Sequence, residues 1–436
     1  MKISLFQGIL FGVFGLGALI GLFVFATYTG KSTGGSNTIG TVVIWGTLPS
    51  AGMQATLAVA AQTDQTMKSV SYVQRDAATL PQDLASAIAT GNAPDLIVAS
   101  QEELVALSKF IAPIPFGTLS SGTFTNAFVE EGGIFTAPGG VGYYGIPFLV
   151  DSLVLFSNRT ILSSAGIARP PATWESLTGL VPSIATLTPS KQITRGLIAL
   201  GTYSNVHNAR GILSSLFLQQ DIPVSAYSPN GNLAADLGVG GGSGTSGGPA
   251  VLSFYTQFAD PSKVSYTWNA SLPDSQQAFL SGDLALYLGY ASEARYLRSA
   301  NPNLNFIVSP LPQPATARAK SAYGLVYAFM TPRGAKNAAG AFQAALLLIN
   351  PDNQTAAATA TGLAPATLTQ LATAPADPVA AIAYAEALYT GGWLSPVPAS
   401  TDTIFSSMIG NVISGRSNTE AALTTAQSSL NSLLQQ

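Results

Sequence analysis

The chain has 436 residues, 47% of them apolar and only 9% charged, with a formal net charge of −3. Soluble domains carry about 25% charge, yet a multi-pass membrane protein is excluded, because only one stretch holds the roughly 20 consecutive apolar residues that cross a bilayer. The acidic balance, without any basic block, argues against nucleic acid as a partner, and the absence of cysteine removes disulfides, thiolate metal sites, cysteine nucleophiles and cysteine-linked lipids.

That one apolar stretch comes first. Residues 5–27 are interrupted only by Gln7 and several glycines, and no charge falls between Lys2 and Lys31. At about 1.5 Å per helical residue the run is long enough for a hydrocarbon core of about 30 Å. A secretory signal has a shorter apolar region, about 7–15 residues, and a small-residue cleavage site. Residues 1–30 therefore read as a membrane anchor in preference to a cleaved signal, with Lys2 on the cytoplasmic side. The small, polar segment 31–40 (KSTGGSNTIG) reads as a flexible tether. The rest of the chain then lies outside the membrane of a single-pass protein.

Strands and helices alternate from there on. The β-branched run 41–45 (TVVIW) predicts a buried strand. A helix is expected at 53–61, a strand at 69–73, a helix at 80–89 ended by Gly91, a strand at 95–99 (DLIVA) and a helix at 101–107. This order predicts an α/β domain with a largely parallel sheet. Further strands are expected at 153–156, 284–288, 306–308 and 325–330, and further helices at 210–219, 251–258, 335–349, 378–388 and 419–434. The glycine-rich run 238–248 predicts a surface loop.

Five segments in order carry a resemblance. They are 91–95 (GNAPD) before an apolar strand, 144–177 (YGIPFLVDSLVLFSNRTILSSAGIARPPATWESL), 278–290 (AFLSGDLALYLGY) continuing into 301–312, 323–348, and 409–434. Together they resemble the extracellular solute-binding proteins of the sugar-binding, maltose-binding-like type that serve ABC importers. The chain departs from that pattern in having Ser157-Asn158 where the family commonly has Tyr-Asn, and in lacking the Gly-Ser-Trp often found near 290–293.

The resemblance implies a two-lobed, periplasmic-binding-protein-like α/β fold, with a hinge between the lobes and the ligand in the cleft. Lobe one would hold 41–147 and 328–375, and lobe two 148–325 and 376–436. Pro147 and Asp151 would lie at the first hinge crossing. The ligand would be a small solute, a sugar or oligosaccharide, handed to an ABC permease, with no cofactor and no catalysis. A surface adhesin or sensor on the same scaffold, or an exported polysaccharide-active enzyme, are the rival readings.

Candidate chemistry is sparse. The chain has one histidine, His207, so a His-rich zinc site is excluded. The Gly-x-Ser-x-Gly match at 244–248 sits inside the glycine-rich loop, without the strand-turn-helix context of a nucleophile elbow. Sugars stack flat C–H faces on aromatic rings and need convergent polar groups for their hydroxyls. On that ground the candidate ligand residues are Trp45, Tyr143, Tyr144, Tyr203, His207, Tyr290, Glu293, Tyr323 and Trp393. Trp174 is left out, because it follows Thr173, a helix N-cap candidate.

Overall fold

The computed structural model describes residues 39–228, 231–239 and 247–435. The expected anchor at 5–27 and most of the tether lie outside the described residues, among which no helix is long and apolar enough to cross a membrane. The chain forms two compact units. Residues up to Val150 and Leu325–Pro375 make unit one, and Asp151–Gly324 with Ala376–Gln436 make unit two.

Unit one is built on three parallel strands. Val42–Gly46 pairs with both Val70–Gln74 and Leu96–Ser100. In the first of these Val42 and Ile44 are fully buried and alternate with half-buried Val43 and Trp45, as a strand with two unequal faces requires. All five residues of Leu96–Ser100 are buried, the signature of a strand covered on both faces. Helix Leu80–Ala89 buries Leu80, Leu84 and Ala87, the i, i+4, i+7 stripe of an amphipathic helix. Gly91, at φ +70, then turns the chain away. Asp95 ties the parallel strands to the returning chain: its carboxylate accepts from Val43 N at 3.0 Å and from Asn337 N at 2.9 Å.

The sheet is mixed rather than largely parallel, and the reason lies in the two long strands that run through both units. Residues 327–330 of Ala322–Met330 pair antiparallel with Leu96–Ser100. Val150 and Leu149 of Ile146–Asn158 pair antiparallel with Ala364–Pro365. A smaller antiparallel sheet joins Ile114–Pro115, Thr136–Ala137 and Gly142–Tyr143. It demands glycine at one point. Gly142 has φ +147, and a Cβ there would lie 1.9 Å from the Ile114 carbonyl oxygen. Gly142→Ala should therefore lower stability by about 2–4 kcal/mol, read by urea unfolding. Gly133→Ala meets nothing within 4 Å and should stay within about 0.5 kcal/mol of the parent.

Unit two pairs Ile193–Ile198 and Leu284–Tyr290 in parallel. Residues 153–157 of the long Ile146–Asn158 strand lie antiparallel against Leu284–Tyr290, and Phe306–Ser309 lies antiparallel along the same long strand. Its core centres on rings. Phe156, Phe279, Tyr287 and Phe306 approach one another with centroids 5.6–6.5 Å apart. Helices Ala209–Leu218, Pro398–Ile413 and Thr419–Leu434 belong to this unit.

Candidate functional site

Two parallel strands of unit two end at the same edge, the place where α/β sheets hold ligands. The register Leu286↔Ile198 lets Leu284–Tyr290 run on past the end of Ile193–Ile198, carrying Tyr287 and Tyr290 beyond it. Loop 199–208 leaves the shorter strand and enters helix Ala209–Leu218 through Asn208, whose left-handed backbone (φ 57°) asparagine tolerates better than most residues. From Tyr290 the chain turns directly into helix Glu293–Ala300.

These elements converge on the Glu293 carboxylate. One oxygen accepts from Asn208 Nδ2 at 2.7 Å and from Tyr290 N at 2.9 Å. The other accepts from Gln276 Nε2 at 2.7 Å and from the Tyr287 hydroxyl. All four donors are uncharged, so the group is held by hydrogen bonds alone. Burial and then the nearby Glu293 charge push the Tyr287 phenol well above its ordinary pKa, which keeps it protonated as a donor. His207 borders this cluster. Its backbone N–H donates to Ser275 Oγ at 2.8 Å, and its Nδ1 lies 3.6 Å from Asp274 Oδ2, an ion pair when the imidazole is protonated. Its ring centroid is 6.4 Å from that of Tyr287.

Asp151 fixes the same turn from beneath. Its carboxylate accepts from Ser292 Oγ at 2.6 Å and from Ser292 N at 3.2 Å. Burial, with a smaller contribution from Glu293, raises its pKa to about 7. Tyr203 stands further along the loop and donates its hydroxyl to Asp402, which also accepts from Arg210 Nη1 at 3.1 Å.

The structure thus brings Tyr290, Glu293 and His207 together and adds Asn208, Gln276 and Tyr287, which sequence reasoning missed. Tyr287 sits in an unbroken apolar run, LALYLGY, and reads there as core. Asn208 and Gln276 carry no signal apart from the strand edge that gathers them.

Other expected ligand residues have different roles. Tyr323 and Trp393 are 1% and 2% exposed. Trp393 donates its indole N–H to Ser214 Oγ, and Tyr323 donates its backbone N–H to Ser215 Oγ, each at 2.8 Å, so both brace helix Ala209–Leu218. In unit one Tyr143 stacks on Phe124 with centroids 3.8 Å apart and meets Phe116 edge-on. These three rings are buried in packing contacts of their own units. Trp45 is half-buried at the end of Val42–Gly46, but the Arg75 guanidinium covers one face of its ring at 3.8 Å. Tyr144, next to Tyr143 in sequence, is half-buried and donates its backbone N–H to Phe135 O at 2.7 Å. Pro147 packs on the Gly132 backbone inside unit one, whereas Asp151 is the first residue of unit two.

With this geometry in place the comparisons with known proteins are clear. The family model described as bacterial extracellular solute-binding protein matches residues 43–384. The chain belongs to that family, whose main domain acts outside the cytoplasm. Its fold is the two-lobed one of a cyclo/maltodextrin-binding protein solved with maltotetraose (TM-score 0.72, 17% identity, covering 93% of this chain and 99% of that one). A cyclic α-maltosyl-1,6-maltose-binding protein from Arthrobacter globiformis is similar at TM-score 0.73 and 14% identity, covering 90% and 98%. A maltotriose-binding protein from Thermus thermophilus gives 0.64 and 18%, covering 90% and 99%. No curated protein sequence matches the chain.

Proposed function

We propose that this protein captures a carbohydrate, mono- or oligosaccharide, at the strand-end cluster of unit two and delivers it to an ABC importer. The observation that carries the reading is the cluster itself. The half-buried Tyr290 ring and His207 stand beside the Glu293 carboxylate, which gathers uncharged donors from Asn208, Gln276, Tyr290 N and the buried Tyr287 hydroxyl. That is the chemistry a hydroxyl-rich, neutral ligand needs: hydroxyls both donate and accept, and C–H faces stack. Structural neighbours solved with maltotetraose, maltotriose and α-D-tagatose support the class. Residues 5–27 hold the protein at the cell membrane, so that carbonate washing leaves it there.

The test is a thermal-shift screen with maltotetraose, maltotriose, mannotriose and tagatose beside peptides and amino acids. A true ligand stabilises by RT ln(1 + [L]/Kd), about 2.7 kcal/mol at a hundredfold excess over Kd. A shift with at least one sugar and none with peptides is the expected result. A shift confined to peptides or amino acids would overturn it.

A further inference from the structure

A cavity lies elsewhere in unit two, away from the Glu293 cluster. It measures 660 Å³ and shares no lining residue with the Glu293 cluster. That volume is in the range of sites that hold small organic ligands, about 300–1,000 Å³. One wall is aromatic: Trp174 and Phe254 meet edge to face with centroids 5.7 Å apart. Leu216, Val251 and Pro182 continue it, and Val264, 79% exposed, stands at its mouth.

The polar groups of this cavity are mostly occupied. The Trp174 indole N–H donates to Gln219 Oε1 at 2.6 Å. Gln219 Nε2 in turn donates to the Pro312 and Ser321 carbonyls, each at 2.9 Å. Gln257 donates to the Phe254 carbonyl and accepts from Ser265 Oγ. A hydroxyl-rich ligand would find few partners here. One lining residue is ionisable, Glu175. Its Oε2 accepts from Ala315 N at 3.0 Å, and the side chain is exposed. Lys263, the next residue before Val264, lines an adjoining hollow with Asp260 instead. An apolar, aromatic-walled hollow with a single carboxylate and no basic lining residue complements an organic cation, which gains from the aromatic wall and from the carboxylate.

We propose that this cavity is a second ligand site, taking a compact apolar molecule that bears one positive charge, an amine or quaternary ammonium. The proposal does not depend on the carbohydrate reading, and its test uses no sugar.

Benzyltrimethylammonium, benzyl alcohol and phenylacetate serve as cationic, neutral and anionic probes in calorimetric titrations of the full chain. The cation should bind saturably, the alcohol at least fivefold more weakly, and the anion not at all. Gly179→Leu fills the cavity. Gly179 lines it in ordinary right-handed backbone (φ −64°), and an added Cβ meets nothing closer than 3.5 Å. This variant should melt as the parent does and lose cation binding. Glu175→Gln keeps the acceptor for Ala315 N and removes the charge, so it should bring the cation down to the affinity of the alcohol. Its exposed side chain makes it the safe variant should the leucine disturb folding. Absence of saturable cation binding, equal affinity for all three probes, or a Glu175→Gln variant that binds as the parent does would each overturn the proposal.

Discussion

The melting temperature should fall as pH rises from about 4 to 8. Three buried carboxyls set this slope, and burial raises each to about pKa 7: Glu103, Asp151 and Glu386. Around Glu103 stand Ser100, which donates from N and Oγ, and the repelling Glu102. Around Asp151 stand Ser292 and Glu293. Glu386 accepts from Leu311 N at 3.3 Å and feels Lys320. The sign follows from linkage. Between about pH 4 and pH 7 the unfolded chain has released these protons and the folded chain still holds them, so raising the pH favours unfolding. Below about pH 4 both states are protonated and the slope vanishes. One pKa unit is worth about 1.4 kcal/mol, so the three groups together weigh several kcal/mol across the window. Asp260, exposed and held low by Ser262, works weakly the other way. Asp151→Asn keeps an acceptor for Ser292 N and should flatten the slope, leaving the variant more stable than the parent at pH 8. A parent melting temperature that rises from pH 5 to pH 8 would refute this.

Removing the Glu293 carboxylate should have the largest effect on binding. Glu293→Ala leaves Asn208, Gln276, Tyr287 and the Tyr290 N–H without their shared acceptor. Each stranded donor costs about 1–3 kcal/mol when buried and less where water enters. A net loss of about 3 kcal/mol in urea unfolding is expected, with sugar affinity reduced more than tenfold. Glu293→Gln preserves the shape but turns one acceptor into a donor facing another donor, so it should fall between. If the alanine variant loses stability while its folded fraction binds sugar as the parent does, the cluster is a structural brace and the ligand sits elsewhere.

Sequence reasoning found the elements whose ends are chemically marked. Helix Thr419–Leu434 has Asn418 as a side-chain cap on Ala421 N, and the Thr173 hydroxyl accepts from Ser176 N at 3.1 Å ahead of Trp174, as the sequence predicts. Helix Pro351–Thr361 was invisible: its Ala- and Thr-rich sequence has no amphipathic stripe, although Asn350 caps it. The 13-residue strand Ile146–Asn158 was legible only at 153–156, because Asp151 and Ser152 break its apolar run while being buried with partners of their own. In the candidate site, Tyr290 and Glu293 were legible because they close a strand and open a helix. The other aromatic residues were not. A tyrosine near a crossing point looks the same in sequence whether, like Tyr143, it stacks in the core or faces solvent. Only the tertiary neighbours, Phe116 and Phe124 in the case of Tyr143, decide that.

The interleaving of the two units fixes the order in which the chain can fold during synthesis. Unit one begins at the N-terminal end but takes its final strands and helices from Leu325–Pro375, and unit two ends only at the C-terminus. Neither can close on the ribosome until most of the polypeptide has emerged. At about 5–20 residues per second the first half waits roughly ten seconds or longer without its partners. The strand Leu96–Ser100, buried on every residue, has an unmatched edge until residues 327–330 arrive. A chain so arranged stays unfolded long enough to be threaded across a membrane, and until residues 327–330 arrive that open edge can pair with another copy.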